Sequence, residues 1–244
     1  KVIKTDVNAA DITARCVSER QILATMDDPN IAKVLDAGIT DSGRPYFVME
    51  LVKGEPITTY CDSHMLTIPE RLGLFAEVCE AVQRAHSNGV THRGIRPTNI
   101  LVSMQDGRPL PKVIDFGTAK ASAGCMTEST GCPEVRQVIT TPKSTGPEQA
   151  GGGKNVDIRT DVHALGVVLY ELLTGSAPFD PDHVRSAANG ELQGVIREVD
   201  SDKPSTRLPT SLADSLELAA HRQIGPTRLG MELREGLEWI VRKA

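Results

Sequence analysis

The helix that opens at Thr67, and the polar loop it runs into, constrain this chain more than any other feature. Thr67-Ile68-Pro69-Glu70 supplies a threonine cap, a proline in the first turn and a glutamate at the capping-box position. Ile68, Leu72, Phe75, Cys79, Val82 and His86 then recur in steps of four and three, and Asn88-Gly89 stops the helix. On that stripe Cys79 reads as core, and His86 as a satisfied core histidine rather than a ligand. The chain passes at once into the polar loop Val90–Asn99. Ile100-Leu101-Val102 and Lys112-Val113-Ile114 follow as a hairpin across the Gln105-Asp106-Gly107 turn. The second strand ends in Asp115-Phe116-Gly117.

The loop reads Val90-Thr91-His92-Arg93-Gly94-Ile95-Arg96-Pro97-Thr98-Asn99. With Asp115-Phe116-Gly117 it resembles the catalytic loop and metal-binding loop of the protein kinase family, which read H-R-D-x-x-x-x-N and D-F-G. His92, Arg93, Asn99, Asp115, Phe116 and Gly117 all match. One position departs: the family's catalytic aspartate is Gly94 here, and the lysine usual two residues later is Arg96. The resemblance implies ATP and Mg²⁺ as cofactors. Asp115 would give hard oxygen ligands to the metal, and Asn99 a neutral oxygen to a second ion. An aspartate at position 94 would accept the proton of the attacking hydroxyl, and glycine has no group to do so. Arg93 is the residue that would pair with a phosphate on Thr127, Ser129, Thr130, Thr140 or Thr141.

The same resemblance extends along the chain. Lys1-Val2-Ile3-Lys4 matches the end of the V-A-I-K strand and puts Lys1 at the ATP-phosphate lysine. Asp11 to Met26 reads as a helix, and the spacing from Glu19 to Pro29 makes Glu19 the partner of Lys1. Ile31 to Ala37 reads as a strand, with a turn around Asp41-Ser42-Gly43 leading to Tyr46–Glu50. Leu51-Val52-Lys53-Gly54 resembles the hinge between kinase lobes. Backbone groups of Glu50 and Val52 would face the adenine edge, Met49 would back the pocket, and Leu101 would form its floor. Leu23, Val34, His92 and Phe116 match a hydrophobic column joining the lobes. Gly146-Pro147-Glu148 resembles the end of an activation segment, although Thr140–Thr145 departs from the family pattern. Asp161 should open a buried helix to Leu173 and hold the backbone of the catalytic loop. Helices are also expected over Leu192–Val199, Ala213–Gln223 and Met231–Val241.

The formal net charge of −5 is spread along the 244 residues and lacks the basic stripe of a nucleic-acid footprint. Five cysteines, Cys16, Cys61, Cys79, Cys125 and Cys132, show no metal-ligand spacing, which fits a reduced cytoplasmic setting. The run Leu165–Leu173 is too short and too interrupted to span a bilayer, so no membrane segment is expected.

The expected fold class is α+β. It is a single bilobal kinase-like domain over residues 1–244, with an incomplete sheet-plus-helix N-lobe at 1–50, a hinge at 51–54 and a mainly helical C-lobe at 55–244 whose final segment is missing. These residues lack the family's Gly-rich loop and the two strands that cover ATP, so N-terminal truncation and true absence are both open, and ATP binding is expected to be weak. Two functions compete. One is bacterial-type serine/threonine phosphoryl transfer to protein hydroxyls, impaired at Gly94. The other is a pseudokinase that binds a regulatory protein partner as a scaffold.

Overall fold

A computed structural model describes residues 26–40, 45–116, 158–178, 204–206, 208 and 211–243. Strand β1 (Val34–Ile39) pairs antiparallel with β2 (Pro45–Met49). The strand expected at Ile31 begins later because the preceding residues are already engaged. The Ala32 N–H donates to the Val113 carbonyl at 2.9 Å, and the Val113 N–H donates to the Asn30 carbonyl at 2.7 Å. Ile31 and Val113 thus form a short parallel bridge to a different sheet.

That second sheet has the order β3 (Glu55–Pro56), β4 (Ile100–Gln105), β5 (Arg108–Val113). The β4–β5 hairpin turns at Asp106-Gly107, both at positive φ. Its two faces differ. Ile100, Val102 and Val113 are buried, whereas Leu101 and Lys112, paired across the ladder, share the other face and are only partly buried.

The helices are α1 (Ile57–Ser63), α2 (Ile68–Ser87), α3 (Ile158–Thr174), α4 (Leu212–Ala220), α5 (Pro226–Glu232) and α6 (Glu238–Lys243), with a π-helical turn, Leu233–Leu237, joining the last two. The capping box of α2 is formed: the Thr67 N–H donates to Glu70 Oε2 at 2.8 Å, and the Glu70 N–H donates to Thr67 Oγ1 at 3.5 Å. The buried stripe of α2 is Ile68, Arg71, Leu74, Val78, Ala81, Val82 and Ala85. It lies beside the stripe read from hydrophobicity, of which Leu72, Phe75, Cys79 and His86 are only partly buried. Alanines at 81 and 85 and a buried arginine at 71 carry no strong apolar signal, yet small side chains let neighbouring elements approach closely. Helix α3 is buried on most faces, as expected, but begins three residues before Asp161. Gly175 ends it at φ +74°, and a Cβ there would meet Leu218 Cδ1 at 2.8 Å.

The main core gathers Ile57, Val78, Ala81, Ile100, Val113, Val168 and Leu172, and it includes Ile31 and Phe116. A second cluster joins Ile68, Leu169 and Leu173 to Leu229 and Leu233 of the C-terminal helices. No helix among the described residues is long and apolar enough to cross a membrane. Lys1, Glu19, Leu23, Gly117, the Thr127–Glu148 segment, the helix expected at Leu192–Val199, and Cys16, Cys125 and Cys132 lie outside the described residues.

Candidate active site

The site is built outward from Asp161, which is fully buried in the first turns of α3. Its carboxylate accepts the His92 N–H at 2.7 Å, the Arg93 N–H at 2.6 Å and an N–H from His86 Nε2 at 2.8 Å. Burial raises the pKa of this carboxyl. The hydrogen bond from His86 and the further bonds from the loop outweigh that and hold it below the ordinary carboxylate range. His86 is thus the satisfied histidine expected, and what satisfies it is the anchor of the loop.

Two residues of the site take left-handed backbone angles that non-glycine residues rarely adopt: Arg93 at φ +63° and Asp115 at φ +68°. The Asp161 hydrogen bond fixes the first. The second follows directly after Ile114, whose N–H donates to the Asn99 carbonyl at 2.9 Å. This bond sets Asn99 and the Asp115 segment side by side.

His92 is buried between them. Its Nε2 lies 2.9 Å from the Ile114 carbonyl and its Nδ1 accepts the Gly94 N–H at 3.1 Å. A carbonyl cannot donate and an amide cannot accept, so the proton resides on Nε2 and the ring is neutral. Burial pushes its pKa down. The ring also meets Phe116 edge-on, 4.5 Å between centroids. Phe116 lies in the main core cluster, against which the partly buried Val34 also packs.

Gly94 sits inside this frame. A Cβ built there would find only ordinary contacts: His92 Nδ1 at 3.7 Å, His92 Cε1 at 3.8 Å and Asn99 Nδ2 at 4.0 Å. Its backbone is not left-handed. The fold therefore does not require glycine at this position. The Asn99 Nδ2 group donates to the Gly94 carbonyl at 2.8 Å, which leaves the side-chain oxygen of Asn99 as its remaining acceptor. Arg96, in extended backbone at φ −166°, leads into the 3₁₀ turn Pro97–Asn99.

The stretch expected as the hinge follows β2 and is irregular. The Glu50 N–H donates to the Lys33 carbonyl at 2.9 Å, and the Lys33 N–H donates to Glu50 Oε2 at 3.2 Å. The other carboxylate oxygen, Oε1, takes Lys112 Nζ at 2.6 Å. Among the described residues, neither the Glu50 carbonyl nor the Val52 N–H has a protein partner. Met49 and Val52 are partly buried, and so is Leu101 on the outward face of β4. Sequence reasoning passed over Lys112, whose only signal was a charged residue set between Pro111 and the apolar Val113-Ile114.

A metal fits what is present. Asp115 and Asn99 offer two oxygen donors, a set suited to Mg²⁺, which takes few protein ligands and keeps water and phosphate oxygens. Among the described residues no cluster of three His, Cys, Asp or Glu side chains offers a competing site.

Comparison with known proteins gives the class. Residues 1–222 match the family model for the protein kinase domain, and the chain belongs to that family. Its relatives are bacterial serine/threonine kinases. It is 36% identical over 193 residues to serine/threonine-protein kinase PknB of Mycobacterium leprae, covering 77% of this chain and 30% of the relative. It is 32% identical over 226 residues to a probable serine/threonine-protein kinase PknB of Lactococcus lactis, covering 92% of this chain and 34% of the relative. It is 29% identical over 241 residues to serine/threonine-protein kinase Pkn1 of Myxococcus xanthus, covering 87% of this chain and 34% of the relative. The chain thus spans about a third of the length of these relatives. The crystal structure of the Mycobacterium tuberculosis PknI kinase domain superposes with a TM-score of 0.55 at 23% identity, covering 96% of this chain and 84% of that one. The fold is the bilobal α+β kinase fold.

Proposed function

We propose that this chain is a serine/threonine kinase domain that binds ATP with Mg²⁺ and transfers phosphoryl groups to protein hydroxyls slowly, because Gly94 supplies no base. One observation carries this reading. The catalytic loop is held in full by Asp161, His86 and Ile114 around a residue that has no side chain.

In this reading Asp115 and Asn99 hold metal, and the metal would draw charge from the transferring phosphate. Glu50 and Val52 present backbone groups to the adenine edge, Met49 backs the purine and Leu101 lies beneath it. The resemblance assigns Lys1 to the phosphates with Glu19 as its partner, both outside the described residues, and Arg93 to an activating phosphate. Arg96 stands where a compact ammonium would approach the γ-phosphate, and its planar fork meets that oxygen differently. Phosphoryl transfer through a loose transition state depends mainly on positioning and charge, so a residual rate survives the loss of the base. That loss alone costs about 10²–10⁴-fold. These 244 residues contain no Gly-rich phosphate loop, so their affinity for ATP is weak.

The missing side chain at 94 and the change to Arg96 also support a second reading, a pseudokinase that binds a regulatory partner. Calorimetry with ATP and Mg²⁺, run beside phosphate incorporation into a generic protein substrate, separates the two. The kinase reading expects weak binding and slow incorporation that Asp115→Asn abolishes. Incorporation indistinguishable from the Asp115→Asn control supports the scaffold. Sub-micromolar affinity overturns the expectation that binding needs the Gly-rich loop, and turnover within the ordinary kinase range of about 1–100 s⁻¹ overturns the impaired-site account.

A further inference from the structure

The ion pair between Glu50 and Lys112 joins two parts of the molecule that the chain itself connects only through the irregular stretch at residues 50–54. We infer that Lys112 is a positioning residue for the purine, clasping the hinge to the floor of the adenine site. The inference rests on the nucleotide-binding reading above.

Glu50 is held at three points. Its N–H donates to the Lys33 carbonyl at 2.9 Å, Oε2 accepts the Lys33 N–H at 3.2 Å, and Oε1 accepts from Lys112 Nζ at 2.6 Å. The first two bonds tie it to the segment just before β1. The third ties it to β5, in the other sheet. One carboxylate therefore bridges both sheets at the point where the chain leaves β2.

Lys112 stands directly across the ladder from Leu101. Residues so paired project from the same face of a hairpin, and here that face is the outward one, because Ile100, Val102 and Val113 fill the core on the other. The ammonium that grips the hinge and the side chain assigned to the floor thus share one rigid two-stranded unit. The Lys112 side chain is 13% exposed and that of Glu50 33%, so the pair is partly withdrawn from solvent screening. The lysine hydrogen bond is the main cause holding the Glu50 carboxyl below its ordinary range.

The consequence is geometric. The Glu50 carbonyl and the Val52 N–H are the groups left to read an adenine edge, and the clasp fixes their placement over Leu101 together with the Asn30 and Ala32 bonds to Val113 and the pairing of Pro56 with Leu101. Without Lys112 the hinge keeps its backbone ties through Lys33 and β3 but loses its direct side-chain tie to β5. The defect falls on recognition of the base rather than on the phosphates.

The test is the ratio of ATP to GTP affinity, measured by competition on the 244-residue chain, since loss of folded protein cancels in a ratio. Lys112→Met keeps most of the aliphatic stem and is expected to lower the ratio by about tenfold, the scale of one charge-assisted hydrogen bond. Lys112→Arg restores a cation to this single contact and is expected to stay within about twofold of wild type. Glu50→Gln should match Lys112→Met, and the double variant should be no worse than either single one. An unchanged ratio in Lys112→Met, with ATP still bound by wild type, overturns the clasp alone. Failure of wild type to bind either nucleotide overturns the nucleotide-binding reading and the clasp with it.

Discussion

His92 is neutral, buried and bonded through both ring nitrogens, to the Ile114 carbonyl and the Gly94 N–H. Protonation would force Nδ1 to give up its acceptor role toward Gly94, and burial opposes the charge. Its folded-state pKa is therefore depressed below the ordinary value of 6.5. Below about pH 6.5 the unfolded chain binds a proton at this site that the folded chain refuses, so stability falls as pH falls through that window. The slope contributed by one such group is at most about 1.4 kcal/mol per pH unit. Asp161 acts lower on the scale. Its depressed pKa stabilises the fold above the unfolded carboxylate value, and that contribution is lost on acidification through the folded value. Urea unfolding at pH 7.5 and pH 5.5 should show wild type losing stability over the interval, with a shallower loss in His92→Gln. Equal slopes in the two proteins would contradict the neutral, buried histidine. The identity of these residues was legible from the motif, but the role of His86 was not, because its partner Asp161 is 75 residues away in sequence.

Helix α3 and the start of α2 illustrate what element-level patterns convey and what they omit. The apolar character of α3 announced its burial. Thr174-Gly175 marked its far end, but the partners of its last carbonyls did not show in any pattern, because two buried charged residues supply them. Arg71 and Arg222 are each about 1% exposed. Arg71 donates to the carbonyls of Leu66, Cys61, Leu172 and His221 and pairs with Asp62 at 2.8 Å. Arg222 donates to Leu172, Leu173 and Leu218. Together they satisfy carbonyls at the C-terminal end of α3, where the helix dipole favours cations. Burial and the neighbouring Arg71 pull the Arg222 pKa down to about 10, still well above neutrality. Amphipathic patterns place arginine outside, so the burial of these two was not legible in the sequence. Replacing Arg71 by leucine should cost about 3–5 kcal/mol in urea unfolding, since it strands buried carbonyls and a carboxylate. A loss below about 1 kcal/mol, the range of a surface pair, would show that water or neighbouring side chains replace it.

At the scale of the whole molecule, the segment before β1 docks on the larger body through polar contacts that no local pattern announces. Asp28, at the position where the family has histidine, is buried and forms an ion pair with Arg84 of α2. Asn30 Nδ2 donates to the Pro111 carbonyl at 2.8 Å and to Glu77 at 3.2 Å. The order of strands and helices was readable from periodicity and turns; the joints between them, Asp28 with Arg84 and Glu50 with Lys112, were not, because each pairs residues more than fifty positions apart. Among the described residues, what stands beside these joints is a loop anchored by Asp161, with Gly94 inside it and room for a side chain there. The account's central claim is that this position is the main lesion. Phosphate incorporation by wild type, Gly94→Asp and Gly94→Asp with Arg96→Lys, each beside an Asp115→Asn control, tests it most directly. Gly94→Asp is expected to raise autophosphorylation by about 10²-fold or more, with a further gain in peptide turnover when Arg96→Lys is added. Aspartate at position 94 in a folded protein that still binds ATP, with no gain in either variant, would contradict the claim.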